Sequence, residues 1–325
     1  MAEISAQLVK QLRERTGAGM MECKKALQET DGDIEKAVEV LRKRGIAAAT
    51  KKETRSTKQG LIAAHMRADN KLGVLVEVNC ESDFVARTED FQALAADVAA
   101  HIAEAKPKYV RPEEVTEAEH ADFKAHEALY EQKLIGNSNI TVSELVRTKI
   151  AKLGENISIS RFVIYELSGN GAITNYIHTG GQIGVLLELH TTKGETSGKE
   201  EFKTLARDVA MQVAAIPSQY IGKDTVPIDI LEKEREIQRD RVIAEGKPAK
   251  MADKIAEGRM AKFYEEVCLL EQPFIRENTI SVGELMRTVS EKLGDHIQAS
   301  RFVRFKVGDA GDAPHVQESP LPVTT

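Results

Sequence analysis

What the chain has little of narrows its class first. Its 325 residues hold only three cysteines, Cys23, Cys80 and Cys268, far apart in sequence. That spacing suits neither a disulfide framework nor a zinc site, and it points to a reducing, cytoplasmic setting. No apolar run approaches the roughly 18 residues that a membrane span needs, so no span is expected. The start, Met1-Ala-Glu-Ile-Ser5, lacks the basic segment and apolar stretch of a secretory leader. No Gly-x4-Gly-Lys-Ser/Thr loop, His-Glu-x-x-His pair or Gly-x-Ser-x-Gly elbow occurs. Gly180-Gly-Gln-Ile-Gly184 is rich in glycine but opens a strand, so the helix N-terminus that would hold a phosphate is absent. The histidines fall singly; His120 and His126 do not share a helical face, and His65, His101 and His190 read as surface or satisfied core residues. No catalytic residue, metal ligand or cofactor is therefore expected. The net charge of −6 argues against general nucleic-acid binding. One local exception is Arg42 to Lys58, seven Lys/Arg against one Glu, which reads most simply as a solvated helix end and linker.

What is present begins with three short helices over residues 1–46. Ile4, Leu8, Val9 and Leu12 share one face behind Ser5, a cap residue. Thr16-Gly-Ala-Gly19 breaks that helix. The second runs from about Met20 to Glu29, with Met21, Cys23 or Lys24, and Leu27 on successive turns. After the turn Thr30-Asp-Gly-Asp33, Ile34, Ala37, Val38 and Leu41 mark the third. This pattern resembles the ubiquitin-associated type of three-helix domain, a binding module. Residues 47–58 carry no large apolar side chain, so a linker that lets the first module move is expected.

From Gly60 onward the chain repeats itself. Gly60-Leu-Ile-Ala, Gly73-Val-Leu-Val-Glu77 and Phe91-Gln-Ala-Leu-Ala recur 111 positions later as Gly171-Ala-Ile-Thr, Gly184-Val-Leu-Leu-Glu188 and Phe202-Lys-Thr-Leu-Ala. Val142-Ser-Glu-Leu, Lys152-Leu-Gly154 and Ser160-Arg-Phe-Val163 recur 140 positions later, so copy two carries 29 extra residues. Each copy reads strand, strand, helices, strand. Hairpins with two-residue turns at Asp69-Asn70 and Gly180-Gly181, and third strands at about Ile157–Leu167 and Ile297–Val307, are expected. The fold class is α+β: two related subdomains, 59–168 and 169–308, each a small antiparallel sheet covered by helices on one face. The insertion, 228–270, reads as two amphipathic helices in a projecting hairpin. Such an arm would touch a partner or another copy of the chain, and self-association through it is one such contact. Residues 309–325, rich in Asp, Gly and Pro, read as a disordered tail.

One stretch departs from the repeat. Val74-Leu-Val-Glu-Val-Asn-Cys80 is a buried-strand pattern that runs into Glu-Ser-Asp-Phe-Val85, where an acid and a large aromatic stand side by side. A local reading tucks Phe84 under the sheet and lets Ser82 or Asp83 cap a helical turn. At the equivalent positions of copy two stand Gly194 and Glu195. If the ring were needed to close this kind of subdomain, copy two would need one as well. The loop therefore reads as an attachment to a framework that stands without it.

Several co-linear motifs now converge. They are Leu12-Arg-Glu-Arg-Thr-Gly-Ala-Gly-Met-Met21 with Cys23-Lys-Lys-Ala-Leu27, Glu77-Val-Asn-Cys-Glu-Ser-Asp-Phe-Val-Ala86, and Gly246-Lys-Pro248, Gly258-Arg-Met260 and Glu271-Gln-Pro-Phe274. Over about residues 2–307 the chain resembles the bacterial elongation factor Ts family, nucleotide-exchange factors for the translational GTPase elongation factor Tu. The resemblance implies a mobile N-terminal domain, a two-part core and a coiled-coil arm. It implies that Ser82, Asp83, Phe84 and Val85 intrude beside the GTPase's Mg²⁺ and nucleotide, with Phe84 as an apolar wedge and Asp83 helping to displace the elements that hold the metal. By the same resemblance His178, Gly180 and Gly181 contact the GTPase from copy two, and Arg13, Met20 and Met21 contact it from the N-terminal domain. Exchange makes and breaks no bond, which accords with the missing catalytic constellation. Two other readings remain open at this point: an RNA- or ribosome-associated adaptor using Arg42–Lys58, and a ubiquitin-type adaptor acting through residues 1–50.

Overall fold

The computed structural model describes residues 4–117, 119–120 and 122–309; apart from Asp309, the 309–325 tail lies outside the described residues. Three helices open the chain: α1 (Ala6–Thr16), α2 (Met20–Glu29) and α3 (Ile34–Thr50). The Ser5 hydroxyl accepts from Leu8 N at 3.2 Å, and the Asp33 carboxylate accepts from Lys36 N at 3.1 Å, so short side chains fix where α1 and α3 begin. Leu12, Cys23, Ala26, Leu27 and Ala37 form the fully buried centre of this bundle. Met21 is not on that stripe. It sits two positions from Cys23, about 200° around the helix, and points away.

Two expectations for the next segment need correction. The third helix does not stop near 46 but runs to Thr50, and residues 47–58 are fastened to the core rather than free. Ala49 is fully buried in the first core cluster. Lys52 Nζ donates to Gly154 O at 2.6 Å, Asn156 Nδ2 donates to the carbonyls of Glu53 and Arg55 at 3.2 and 2.7 Å, and Arg147 pairs with Glu53 at 2.8 Å. Alanine and backbone carbonyls do this holding, so a count of large apolar side chains misses it.

The first copy contains β1 (Gln59–Met66), β2 (Leu72–Cys80), the single turn α4 (Asp83–Ala86), α5 (Glu89–Ala105), the short hairpin β3 (Lys133–Leu134) and β4 (Asn137–Thr141), α6 (Val142–Leu153) and β5 (Ile157–Glu166). The second contains β6 (Gly171–Ile177), β7 (Ile183–Thr191), α7 (Glu200–Ala215), the arm α8 (Ile228–Ala244) and α9 (Ala249–Val267), the hairpin β8 (Pro273–Phe274) and β9 (Glu277–Ser281), α10 (Val282–Leu293) and β10 (Ile297–Lys306). Both sheets are antiparallel, in the orders β1-β2-β5 and β10-β7-β6. The second-copy strand equivalent to β2 is β7, so each sheet is centred on its second strand. α3 packs across α6 so closely that a Cβ on Gly45 would sit 2.9 Å from that of Ala151.

Every residue of β2 is buried because both its faces are covered. Val74, Val76 and Val78 face α5, which contributes Phe91, Leu94, Val98 and Ile102. Leu75 faces the other sheet, meeting Leu186, Ile173, Val303 and Phe305. Burying each such large side chain contributes about 1.5–3 kcal/mol. The two sheets thus pack face to face with helices outside.

The copies also clasp each other reciprocally. The hairpin connections are longer than two residues, spanning residues 67–71 and 178–182 between the strands, with Asn70 at φ 56° and Gly180 and Gly181 at φ 87° and 71°. Longer loops let each turn reach across: Asn70 O accepts from Ile173 N, and Gly181 O accepts from the equivalent Ile62 N, both at 2.8 Å. Lys71 Nζ donates to Gly171 O at 2.9 Å, and Gln182 Nε2 donates to Gly60 O at 2.8 Å. Fully buried Glu77 accepts from Arg161 Nε at 2.8 Å, and that guanidinium lies over the Phe305 ring of copy two, 4.3 Å from its centroid. In mirror fashion Glu188 accepts from Arg301, whose guanidinium lies over Tyr165 of copy one at 4.2 Å. The arm is held along its length by pairs such as Arg235–Glu257 and Arg259–Glu245.

Candidate functional site

The reciprocal clasp decides where the site forms. Because the 178–182 turn crosses onto β1, it comes to lie beside the segment that leaves β2. Together they line one groove of about 1150 Å³, with Ser82, Asp83, Ala86 and Arg87 on one wall and Thr179, Gly180 and Gly181 on the other. Gly181 is needed there: its φ of 71° is left-handed, and a Cβ would approach that of Leu61 to 3.0 Å.

The β2 exit is pinned at both ends. Ser82 is the N-cap of α4, its hydroxyl accepting from Val85 N at 3.4 Å. The Glu155 carboxylate, from the α6–β5 turn, accepts from Ser82 N at 2.9 Å and from the Ser82 hydroxyl at 2.6 Å. Cys80 Sγ donates to Ser82 O at 3.1 Å; burial pushes that thiol up to about 12, so it stays a neutral donor. At the far end the Thr88 hydroxyl donates to Val85 O at 2.8 Å and accepts from Phe91 N at 3.3 Å, joining the turn to buried Phe91. Val85 and Ala86 pack inward on the first core cluster.

On this fastened turn Phe84 is 81% exposed. The cap half of the local reading therefore holds, with Ser82 as the cap, while the ring does not tuck under the sheet. α4 is one turn long: with Val85 and Ala86 facing in, its other side faces out. Asp83 pairs with Arg87 at 2.9 Å, both substantially exposed. Such a pair contributes at most about 1 kcal/mol, so Asp83 can exchange partners at small cost.

Ser82, Asp83, Gly180 and Gly181 line the groove, while Phe84 and His178 adjoin it in sequence and are exposed. Tyr176 Oη lies 3.3 Å from His178 Nδ1, which fixes that ring's attitude. Arg13, Met20 and Met21 do not line the groove. They are exposed on the N-terminal bundle, the two methionines at 54% and 66%. That bundle does reach the same side of the core. The α1–α2 loop at Gly17 abuts Lys152, which pairs at 2.7 Å with Asp90 in the first turn of α5.

Glu155 and Thr179 were missed by the sequence reading. The repeat held a signal for the first: Leu153-Gly-Glu155 recurs as Leu293-Gly-Asp295, an acid directly after the glycine that ends the helix. Asp295 likewise accepts from Thr192 N and Lys193 N, at 3.1 and 3.2 Å. Among the described residues no group of three or more His, Cys, Asp or Glu side chains is placed to hold a metal ion, and no helix is long and apolar enough to cross a membrane.

An exposed aromatic on a turn fastened to the core, beside a groove lined by two subdomains, is the kind of surface on which a macromolecular partner can dock. The comparisons name the family. The model of the family described as Elongation factor TS matches residues 5–125 and 81–309. The chain is 42% identical over 311 residues to elongation factor Ts of Nostoc sp., covering 95% of this chain and 94% of that one. It is 42% identical over 306 residues to that of Clostridium novyi (94% and 93% covered), and 40% over 308 residues to that of Lawsonia intracellularis (94% and 99%). The chain belongs to the elongation factor Ts family, nucleotide exchange factors of translation elongation rather than enzymes.

Proposed function

We propose that this chain docks on the GDP-bound form of elongation factor Tu through the 82–87 turn and the 178–181 turn, inserting Asp83 and Phe84 so that Mg²⁺ and GDP leave. It then holds the empty GTPase until GTP binds. The observation that carries this reading is Phe84, 81% exposed on a turn that Glu155 and Thr88 fasten to the core. A ring held ready for burial loses little freedom on docking, so more of its transfer free energy appears as binding. Arg13, Met20, Met21 and His178 add contacts around it.

Exchange follows by linkage. A partner that binds the empty GTPase more tightly than the loaded one must weaken nucleotide binding by the same factor. Phosphate and Mg²⁺ are held by several short polar contacts, so a small wedge-driven shift disrupts more than one at once. The basic run carries less free charge than its sequence count, which weakens the RNA-adaptor reading: Arg42, Lys43, Arg44 and Arg55 pair with Glu144, Glu39, Glu29 and Glu81. The setting is the cytoplasm, and the arm is free to meet another copy of the chain. The test is release of labelled GDP from purified elongation factor Tu. Saturable acceleration by this chain is expected, and a release rate indifferent to its concentration refutes the proposal.

A further inference from the structure

We infer that Glu155 is a positioning residue for exchange, acting through Ser82 to hold the Asp83–Phe84 turn in its docking attitude. The inference rests on the proposed insertion of that turn. Glu155 comes from a part of the chain 73 residues away, yet its carboxylate takes both donors that Ser82 offers, the amide at 2.9 Å and the hydroxyl at 2.6 Å. Charge-assisted bonds of this length are among the stronger ones a protein makes. Ser82 is also the cap of α4, so its orientation sets the direction of the helical turn that begins at Asp83. A four-residue helix cannot set its own direction, because nucleating one turn costs more than its hydrogen bonds return.

The same turn holds the N-terminal tether. Asn156 N donates to Glu81 Oε1 at 2.7 Å, while Asn156 Nδ2 takes the carbonyls of Glu53 and Arg55. Arg55 reaches the same Glu81 at 3.5 Å. Residues 154–156 therefore lie between the tether and the turn and fix both. Copy two supplies an internal control. Asp295 occupies the equivalent place and grips Thr192 and Lys193, but the segment next to them is Gly194–Gly198, with no acid–aromatic pair. A purely structural role predicts that losing either acid has the same consequences. A positioning role predicts that only Glu155 affects exchange.

The experiment measures GDP release from elongation factor Tu against concentration of the full-length chain, separating maximal rate from half-saturation, beside thermal unfolding of each variant. Glu155→Ala is expected to lower the maximal rate about tenfold, the scale of one lost charge-assisted hydrogen bond. Glu155→Gln, which keeps an acceptor for Ser82, should recover most of it. Asp295→Ala should unfold at a temperature lowered as much as for Glu155→Ala yet keep the full maximal rate. Ser82→Ala should lower the maximal rate on its own, and combined with Glu155→Ala it should lose less than the sum of the two single losses, since the two share one hydrogen-bonded unit; this cycle also reads the coupling at a lower temperature should either variant unfold early. Equal effects of Glu155→Ala and Asp295→Ala on the maximal rate, or additive losses in the cycle, overturn the inference. Phe84→Ala separates the two levels. If it exchanges at the full rate the insertion itself is wrong; if it fails while Glu155→Ala does not, only the positioning role falls.

Discussion

Replacing Phe84 by alanine should separate stability from function more cleanly than any other single change. In the free chain the ring is 81% exposed, so its removal gives up little buried area. The expected change in unfolding free energy is within about 0.5 kcal/mol, that of an ordinary surface substitution. In the docked state the same ring passes from water to a protein interior. Full burial of a phenylalanine contributes about 1.5–3 kcal/mol, and about four-fifths of that is still to be gained, leaving roughly 1–2.5 kcal/mol. At about 1.4 kcal/mol per decade this is a roughly 5- to 60-fold loss of exchange efficiency. The assay is stopped-flow release of fluorescent GDP from elongation factor Tu, with excess unlabelled nucleotide and the variant below saturation. Circular dichroism melts of the free variant run beside it. Full exchange efficiency refutes the wedge. So does a large fall in melting temperature with a matching fall in exchange, because that would make the ring a structural prop.

Three further changes probe other parts of the account. His101 is buried; burial lowers its pKa, outweighing the Gln132 hydrogen bond that raises it, and its Nδ1 accepts from Ile135 N while Nε2 faces Gln132. A group depressed in the folded state contributes stability that is present above its unfolded pKa of about 6.5 and is lost as pH falls from there through the folded value. Copy two places Gln212 in the same role, its Oε1 accepting from Ile275 N at 2.9 Å. His101→Gln should therefore flatten the fall in urea stability between neutral and mildly acidic pH; an unchanged profile contradicts this. Met20→Ala with Met21→Ala should raise the half-saturating concentration in exchange roughly tenfold while the melting temperature stays put, and an unchanged half-saturation removes these residues from the interface. Glu77→Ala would take the carboxylate from half-buried Arg161 and from buried Asn79 and should cost about 2–3 kcal/mol in urea unfolding; a loss below about 1 kcal/mol shows that the pair does not hold the two copies together.

Much of this architecture was legible because the chain is written twice. Matching Gly73 with Gly184 and Phe91 with Phe202 located the strands and helices, and the absence of an acid–aromatic pair at Gly194 and Glu195 set the 82–85 turn apart on sequence alone. What periodicity could not convey is relations between the copies. Leu75 alternates with Val74 and Val76 in one apolar run, and nothing in that run says that Leu75 meets a second sheet rather than solvent or a helix. The 178–182 turn reads as a simple hairpin, yet its extra length carries Gly181 onto Ile62 and brings copy two to the groove. The tether around 53–55 escaped notice because Asn156 binds its carbonyls, which every residue has. Glu155 escaped because a single carboxylate near a helix end is common. Only its partner, Ser82, makes it informative.

The most direct test of the central claim is a structure of this chain bound to nucleotide-free elongation factor Tu, read at one side chain. Phe84, 81% exposed in the free chain, is predicted to be buried against the GTPase beside the vacated nucleotide site, with Ser82 still held by Glu155. A complex that has lost its GDP while the Phe84 ring remains in solvent would contradict the account.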